Sequence, residues 1–217
     1  MKVYAINGSP RKNKNTATLL QKALDGVKES VKDKEIETKI INLYDFQYTG
    51  CKSCFACKRI GGKSYGKCAV KDDIHEILEK LSQADGIIFG SPIYLTHISG
   101  QLQSFLERLS FPYLVYDNDH SSIAPKKMPI AFIYTMNVTE EIMKKMGYLS
   151  TFNNIEGLLE RIFTKPSVMY SNNTYQFDDY SKYKSDIFPE EEKAAYRKIQ
   201  FPVDCKKAFE LGINLIK

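Results

Sequence analysis

The sequence predicts an α/β fold, with one domain over residues 1–217 built on a doubly wound, five-stranded parallel sheet with helices on both faces. Three observations predict it. Short apolar runs rich in strand formers alternate with segments whose apolar residues recur at helical spacing. The run at residues 85–90 has its apolar residues side by side, which is typical of parallel strands. The composition, 43% apolar and 26% charged over 217 residues, is that of an ordinary globular chain.

The first third of the chain predicts strand, loop, helix and strand. The first strand covers residues 3–6 and ends in an Asn-Gly-Ser-Pro turn. A helix is expected over residues 16–27, with Asn15 or Thr16 as its N-cap. The second strand covers residues 35–43, and residues 44–71, which contain four of the five cysteines, are expected to form a long loop.

The remaining elements continue this alternation. Asp72 and Asp73 are expected to cap a helix, and Ser99 or Gly100 to begin another. The other predicted elements are a third strand over 85–90, a fourth over 128–135, helices over 140–149 and 155–163, a fifth strand over 167–170, and a terminal helix over 190–216 with a break near Pro202. A Tyr-rich insertion near residues 171–189 is expected to be a lid, a dimer surface or a disordered crossing loop.

Composition also restricts the environment and the partners. Thirty-one basic and 26 acidic residues give a formal charge of +5, and because the lysines are scattered we expect no nucleic-acid partner. No apolar run approaches the roughly 20 residues of a membrane helix. The apolar run at the N-terminus is shorter than a signal-peptide core. We therefore expect a cytoplasmic location, where clustered cysteines indicate metal or redox groups rather than disulfides.

The loop after the first strand offers a site for an anion. Hydroxyl, amide and guanidinium groups lie next to the start of a helix, where unpaired N–H groups and the helix dipole favour a phosphate. These groups belong to Ser9, Arg11, Asn15 and Thr16. The loop lacks the Gly-Lys-Ser/Thr ending of a Walker A motif and the glycines of the dinucleotide fingerprint. An ordinary polar turn is the alternative.

Two motifs resemble a known family. Residues 8–11 (GSPR), followed by Asn15 and Thr16, and residues 90–94 (GSPIY), followed by residues 99–102 and 105–108, are similar to the flavodoxin-like NADPH-dependent FMN reductases and to their relatives, the iron–sulfur flavoproteins. The resemblance covers roughly residues 1–136. It implies a sheet order of 2-1-3-4-5, bound FMN, NAD(P)H as electron donor, and a homodimer or homotetramer.

The resemblance also implies which residues hold the cofactor. Those that hold the FMN phosphate would be Ser9, Arg11, Asn15 and Thr16. Those that line the isoalloxazine ring would be Ser91, Pro92, Ile93 and Tyr94, with Thr135 and Asn137 at the ring's other edge. Proline stiffens its loop and tyrosine offers a flat face for stacking, so the second set suits this role physically. No dedicated catalytic residue is expected, because the flavin supplies the chemistry.

The cysteines of the long loop have the spacing C-x2-C-x2-C-x10-C, formed by Cys51, Cys54, Cys57 and Cys68. The first three match the compact spacing of iron–sulfur ligands. A structural zinc site and reduced, redox-active thiols are the alternatives. The resemblance leaves the question open, because iron–sulfur flavoproteins bind a [4Fe–4S] cluster in this loop, whereas other members have cysteines here without a cluster.

The function implied by the resemblance is an NAD(P)H-dependent oxidoreductase that passes electrons through FMN to a quinone, a flavin or a similar small acceptor. One alternative is an iron–sulfur flavoprotein that transfers electrons between a [4Fe–4S] cluster and FMN. Another is an electron carrier without turnover, which the +5 charge disfavours because flavodoxins are acidic. A third is a regulatory module that has lost its flavin.

Overall fold

The strands and helices alternate along the chain in a computed structural model that describes residues 1–32 and 34–216. The strands are β1 (Lys2–Asn7), β2 (Glu37–Asn42), β3 (Gly86–Tyr94), β4 (His97–Ile98), β5 (Ile130–Thr135) and β6 (Ser167–Ser171). The helices are α1 (Asn15–Ser30), α2 (His75–Ser82), α3 (Gly100–Ser110), α4 (Glu140–Lys145), α5 (Tyr148–Ile162) and α6 (Glu190–Leu215).

Five parallel strands form the sheet in the order β2-β1-β3-β5-β6, which confirms the predicted 2-1-3-4-5 order. The short strand β4 is an addition that the sequence analysis missed. It pairs antiparallel with the end of β3 through a two-residue turn at Leu95 and Thr96, whose φ angles are 48° and 70°. Tight hairpin turns with positive φ usually contain glycine or asparagine, so neither residue signals the turn in the sequence.

Apolar side chains fill both faces of the sheet. On β1, Val3 and Ala5 pack with α1 and α6, whereas Tyr4 and Ile6 point to the opposite core, where α2, α3 and α5 pack. This alternation follows from the two-residue period of a strand. Because helices cover both faces, the open positions of the fold are at the strand ends.

Helices α1 and α6 approach each other closely through two glycines. A Cβ atom placed on Gly26 would lie 2.0 Å from the carbonyl oxygen of Phe209, and one on Gly212 would lie 1.9 Å from that of Ala23. Only glycine permits this backbone contact. This close packing brings the N-terminal half of α6 near the loop after β1, where Arg197 contacts Asn15.

Several local predictions were wrong. Lys14, not Asn15 or Thr16, is the N-cap residue of α1, because the Asn15 side chain bonds elsewhere. Helix α2 begins after Ile74, and the two predicted capping carboxylates have other partners: Asp72 binds Arg108 and Asp73 accepts from the Gln47 amide.

Two helix boundaries also differ from the sequence prediction. Gly147, with φ of 73°, separates α4 from α5, so the second of these helices begins earlier than predicted. Helix α6 continues through Pro202 without a break, with the proline on its exposed side. Among residues 1–32 and 34–216, no helix has both the length and the apolar character to cross a lipid bilayer.

Candidate functional site

The loops that follow β1, β3 and β5 meet at the carboxyl edge of the sheet. The Gly8 amide donates to the Gly90 carbonyl at 2.8 Å, and Pro92 lies beside Thr135 in the strand register. A Cβ on Gly8 would lie 2.9 Å from both Leu102 Cβ and Ser99 Oγ, so the first loop contacts the start of α3 directly. Ligands of doubly wound sheets bind at this edge.

The loop after β1 is braced by its own side chains. The Ser9 amide donates to Asn7 Oδ1 at 3.0 Å, and the Arg11 amide donates to Ser9 Oγ at 3.2 Å. Ser9, Asn15 and Thr16 are buried, and Arg11 is half-buried. The Lys14 side chain makes no capping bond to the N–H groups of the first turn of α1.

The Tyr-rich segment lies across this loop. Arg11 Nη1 donates to the Gln176 carbonyl at 2.6 Å, and Asn15 Nδ2 donates to the Tyr175 carbonyl at 2.9 Å. Lys14 forms an ion pair with Asp178. Two of the four predicted phosphate-binding side chains therefore donate to backbone carbonyl oxygens of neighbouring residues in this segment. Their N–H groups point to the same region. Of the three alternatives for the segment, this position favours a lid.

The loop at the end of β3 divides into a buried and an exposed part. Ser91 is fully buried; its hydroxyl donates to the Pro92 carbonyl at 2.7 Å and accepts from the Ser99 amide at 2.9 Å. This serine therefore braces the loop against α3. Ile93 is half-buried, and the Tyr94 ring is 42% exposed and so has a face available for stacking. Burial raises the pKa of the Tyr94 hydroxyl, and the positive charge of nearby Arg11 opposes this shift.

The end of β5 contributes two polar side chains. Thr135 Oγ1 lies 2.8 Å from Thr16 Oγ1, and both residues are buried, so this contact joins the β5 loop to the start of α1. Asn137 Oδ1 is buried and, among the described residues, has no hydrogen-bond partner. An unpaired buried acceptor costs about 1–3 kcal/mol, and a ligand N–H is a group that would satisfy it.

Helix α6 adds two cationic residues that the sequence analysis missed. Lys193 is 1% exposed; its ammonium donates to the Asn137 carbonyl and, at 2.6 Å, to Asn173 Oδ1. Arg197 Nη1 donates to Asn15 Oδ1 at 3.0 Å. No signal within the polar start of α6 distinguishes these two residues from its solvent-facing charges, because their contacts depend on how the helix packs.

The four loop cysteines lie around one small cavity of about 20 Å³. None of the four forms a disulfide with another described residue: Cys57 is buried, Cys54 is exposed, and Cys51 and Cys68 are half-buried. Burial raises the pKa of the Cys57 thiol, and the neighbouring cysteines reinforce the shift while Lys58 opposes it. The fold therefore places the four cysteines around one cavity, but no three His, Cys, Asp or Glu side chains among the described residues have an arrangement that could hold a metal ion.

Arg108 anchors both ends of the cysteine loop. The residue is 2% exposed, and Nε donates to Cys68 Sγ at 2.9 Å. Its two terminal nitrogens bind the Asp72 carboxylate at 2.8 and 3.1 Å, and they also donate to the carbonyls of Thr49 and Val70. A guanidinium satisfied on all sides holds the loop against α3.

The sheet order and the three loops at its carboxyl edge define a flavodoxin-like α/β protein. The family model for NADPH-dependent FMN reductases matches residues 1–141, and the chain belongs to that family.

Similar proteins agree with this family and fold. The chain is 43% identical to an iron–sulfur flavoprotein of Methanocaldococcus jannaschii over 108 residues. This aligned stretch covers 50% of this chain and 51% of that protein. An iron–sulfur flavoprotein of Archaeoglobus fulgidus is 40% identical over 108 residues, covering 50% of this chain and 48% of the relative. The chain thus spans about half the length of the curated relatives it matches.

Solved structures share the fold over the whole chain. An NAD(P)H:quinone oxidoreductase of Methanothermobacter marburgensis superposes with a TM-score of 0.70 at 15% identity, over 99% of this chain and 98% of that one. An FMN-dependent NADH-azoreductase of Bacillus anthracis, solved with FMN, gives a TM-score of 0.65 at 13% identity and full coverage of both chains.

Proposed function

We propose that the protein is an FMN-dependent oxidoreductase that takes electrons from NAD(P)H and passes them to a quinone, a flavin or a similar small acceptor. Bound FMN would supply the redox chemistry, which is hydride acceptance from NAD(P)H and electron donation to the acceptor. The observation on which the proposal rests is the convergence of three polar loops at the carboxyl edge of the sheet, together with membership of the FMN reductase family.

The loop after β1 is the proposed phosphate site. Arg11 supplies a charge-assisted hydrogen bond, Ser9, Asn15 and Thr16 supply neutral polar groups, and the first turn of α1 supplies N–H groups and a positive dipole end. Arg11 and Asn15 now bind peptide carbonyl oxygens. Phosphate binding exchanges those acceptors for phosphate oxygens, so the Tyr-rich segment must shift away from these two side chains.

The loops after β3 and β5 are the proposed ring site. Tyr94 presents its exposed ring for stacking, and the buried Pro92 fixes the backbone that precedes it. Asn137 Oδ1 is an acceptor that no described residue satisfies, and the isoalloxazine ring carries an N–H donor that could bind it. Ser91 and Thr135 hold these loops in place through their hydroxyl contacts.

The phosphate site is tested by titration of FMN into the wild-type protein and into Arg11→Ala. We expect at least a tenfold weaker affinity in the variant, because a charge-assisted bond to the phosphate is lost. Lys12→Ala is the matched control in the same loop, because Lys12 pairs with Asp45 and is half exposed; we expect a change of less than about threefold. An unchanged affinity in Arg11→Ala would contradict the phosphate assignment.

Turnover separates an enzyme from an electron carrier. The wild-type protein loaded with FMN should oxidise NAD(P)H at a steady rate when a quinone or free flavin is added. Reduction of bound FMN by a chemical donor without steady NAD(P)H oxidation would favour the carrier. Failure of the wild-type protein to bind FMN would favour a module that has lost its flavin.

A [4Fe–4S] cluster on the four cysteines is the second candidate feature, and the names of the similar iron–sulfur flavoproteins favour it. The position of all four cysteines around one cavity and the Arg108 donor at Cys68 are also favourable. A cavity of about 20 Å³ has room for roughly one water, however, so this closed loop does not fit a cluster. We therefore derive no electron transfer through it.

Metal analysis decides among cluster, zinc and free thiols. The protein should be purified anaerobically and assayed for iron, acid-labile sulfide and zinc. About four irons and four sulfides per chain would make the cysteines cluster ligands and would require the loop to open. Flavin without metal, after reconstitution has also been tried, would leave an FMN reductase with free thiols.

We also propose that the protein forms a homodimer or homotetramer. An apolar cavity of about 340 Å³ opens between α3 and α5, lined by Leu106, Phe111 and the 40% exposed Leu158. Exposed apolar surface of this kind favours a protein partner. Light scattering tests the proposal, and a monomeric mass at micromolar concentration would contradict it.

A further inference from the structure

Lys193 is a buried cation that forms no ion pair with any of the described residues. Its ammonium binds two neutral oxygens, the Asn137 carbonyl and Asn173 Oδ1, and lies 4.8 Å from the centre of the Phe188 ring. Within the described chain, no carboxylate is in ion-pair contact with it. Burial of an unpaired charge is costly, so an aromatic ring and two neutral oxygens compensate it only in part.

The position of this charge relates it to the proposed ring site. The loop after β5 is held to the end of β6 by three backbone bonds: Met136 to Ser171, Asn173 to Val138, and Thr174 to Met136. Lys193 binds both sides of this connection, at Asn137 and Asn173. A positive charge therefore lies directly behind the loop that carries Asn137 Oδ1, the acceptor that no described residue satisfies.

We propose that Lys193 is a positioning residue that fixes the loop after β5 and, through its charge, favours the reduced state of bound FMN. The inference rests on the proposed function. Reduction by NAD(P)H delivers two electrons and one proton to FMN, so the bound cofactor gains one net negative charge. A fixed cation nearby stabilises that added charge and raises the two-electron potential.

The first test compares Lys193→Met with Lys198→Met, an exposed lysine of the same helix. Both variants are loaded with FMN, and the midpoint potential and the affinity for oxidised FMN are measured. We expect the ratio of affinities for reduced and oxidised FMN to fall about tenfold in Lys193→Met, which corresponds to a potential about 30 mV lower, and to remain unchanged in Lys198→Met. A purely structural role would weaken both redox states equally.

A second test needs only the wild-type protein. Burial lowers the pKa of Lys193 to about 8, and the nearby Glu192 opposes this shift. The groups that contact it from the β5 loop, from residue 173 and from residue 188 are uncharged. Because reduction adds a negative charge nearby, it raises this pKa, so above pH 8 a second proton is taken up on reduction.

The potential of the wild-type protein should therefore fall by about 30 mV per pH unit between pH 7 and 8 and by about 60 mV per pH unit above pH 8. An unchanged potential in Lys193→Met with FMN bound, or the same change of slope in the wild-type protein and in that variant, would overturn the role of Lys193 alone. A wild-type protein that does not bind FMN would overturn the proposed function and this inference together.

Discussion

Replacement of Arg108 by methionine removes the anchor of the cysteine loop while keeping most of the apolar stem. The guanidinium makes five hydrogen bonds, and its loss leaves the Asp72 carboxylate, whose side chain is only 19% exposed, without its cation. The carbonyls of Thr49 and Val70 also lose a donor. The cost comes from the stranded partners more than from the lost attraction itself.

The expected loss of unfolding free energy follows from leaving the Asp72 carboxylate without its cation. Removal of one partner of a buried ion pair costs about 3–5 kcal/mol. Asp72 regains some water because it is not fully buried, so we take about 4 kcal/mol as the expected loss. For a chain of this size that loss corresponds to a melting temperature lower by about 8–16 °C.

Urea unfolding of the FMN-free protein measures this loss. Arg161→Met is the matched control, because Arg161 is exposed and makes one bond, of 3.3 Å, to the His120 carbonyl; it should change the unfolding free energy by less than about 0.5 kcal/mol. The double variant with Asp72→Asn should recover part of the loss, because no charge is then stranded. A loss below about 1 kcal/mol in Arg108→Met, with an unchanged rate of thiol labelling at Cys68, would refute the reasoning.

Two further predictions concern α6. Gly212→Ala places a methyl group 1.9 Å from the Ala23 carbonyl oxygen and should lower the unfolding free energy by about 2–4 kcal/mol. The control is Gly157→Ala, whose methyl group would have no atom within 4 Å and which should raise the unfolding free energy by up to about 1 kcal/mol. Equal effects of the two variants in urea unfolding would contradict the close packing of α1 and α6. Burial lowers the pKa of Lys193 to about 8 against about 10.4 in the unfolded chain, so between these values the unfolded state binds more protons and stability rises with pH. The difference in unfolding free energy between the wild-type protein and Lys193→Met should shift in favour of the wild type from pH 8 to 10, and parallel curves would show that the pKa is not lowered.

The strands and helices of the parallel sheet were accessible from local patterns, because buried parallel strands and amphipathic helices have characteristic periods, whereas the strand order came from the family resemblance. The Ser99 cap of α3 was equally visible, since its hydroxyl accepts from the Leu102 amide three residues later. The predicted caps at Asp72 and Asp73 did not form, because the fold brings other donors to these carboxylates: the Arg108 guanidinium to Asp72 and the Gln47 backbone amide to Asp73. The hairpin at Leu95 and Thr96 was missed because its positive φ angles occur at residues that rarely adopt them.

The candidate site also combines features that the sequence predicts with contacts that it does not. The sequence by itself determined the three loops at the carboxyl edge, since strand, turn and helix follow one another within about 15 residues and the motif residues lie inside the turns. Only the tertiary structure decided what surrounds them. Arg11 meets Gln176 across 165 positions, and Arg197 meets Asn15 across 182. The second contact depends on the packing of α6 against α1 through Gly26 and Gly212, and no local pattern encodes either contact.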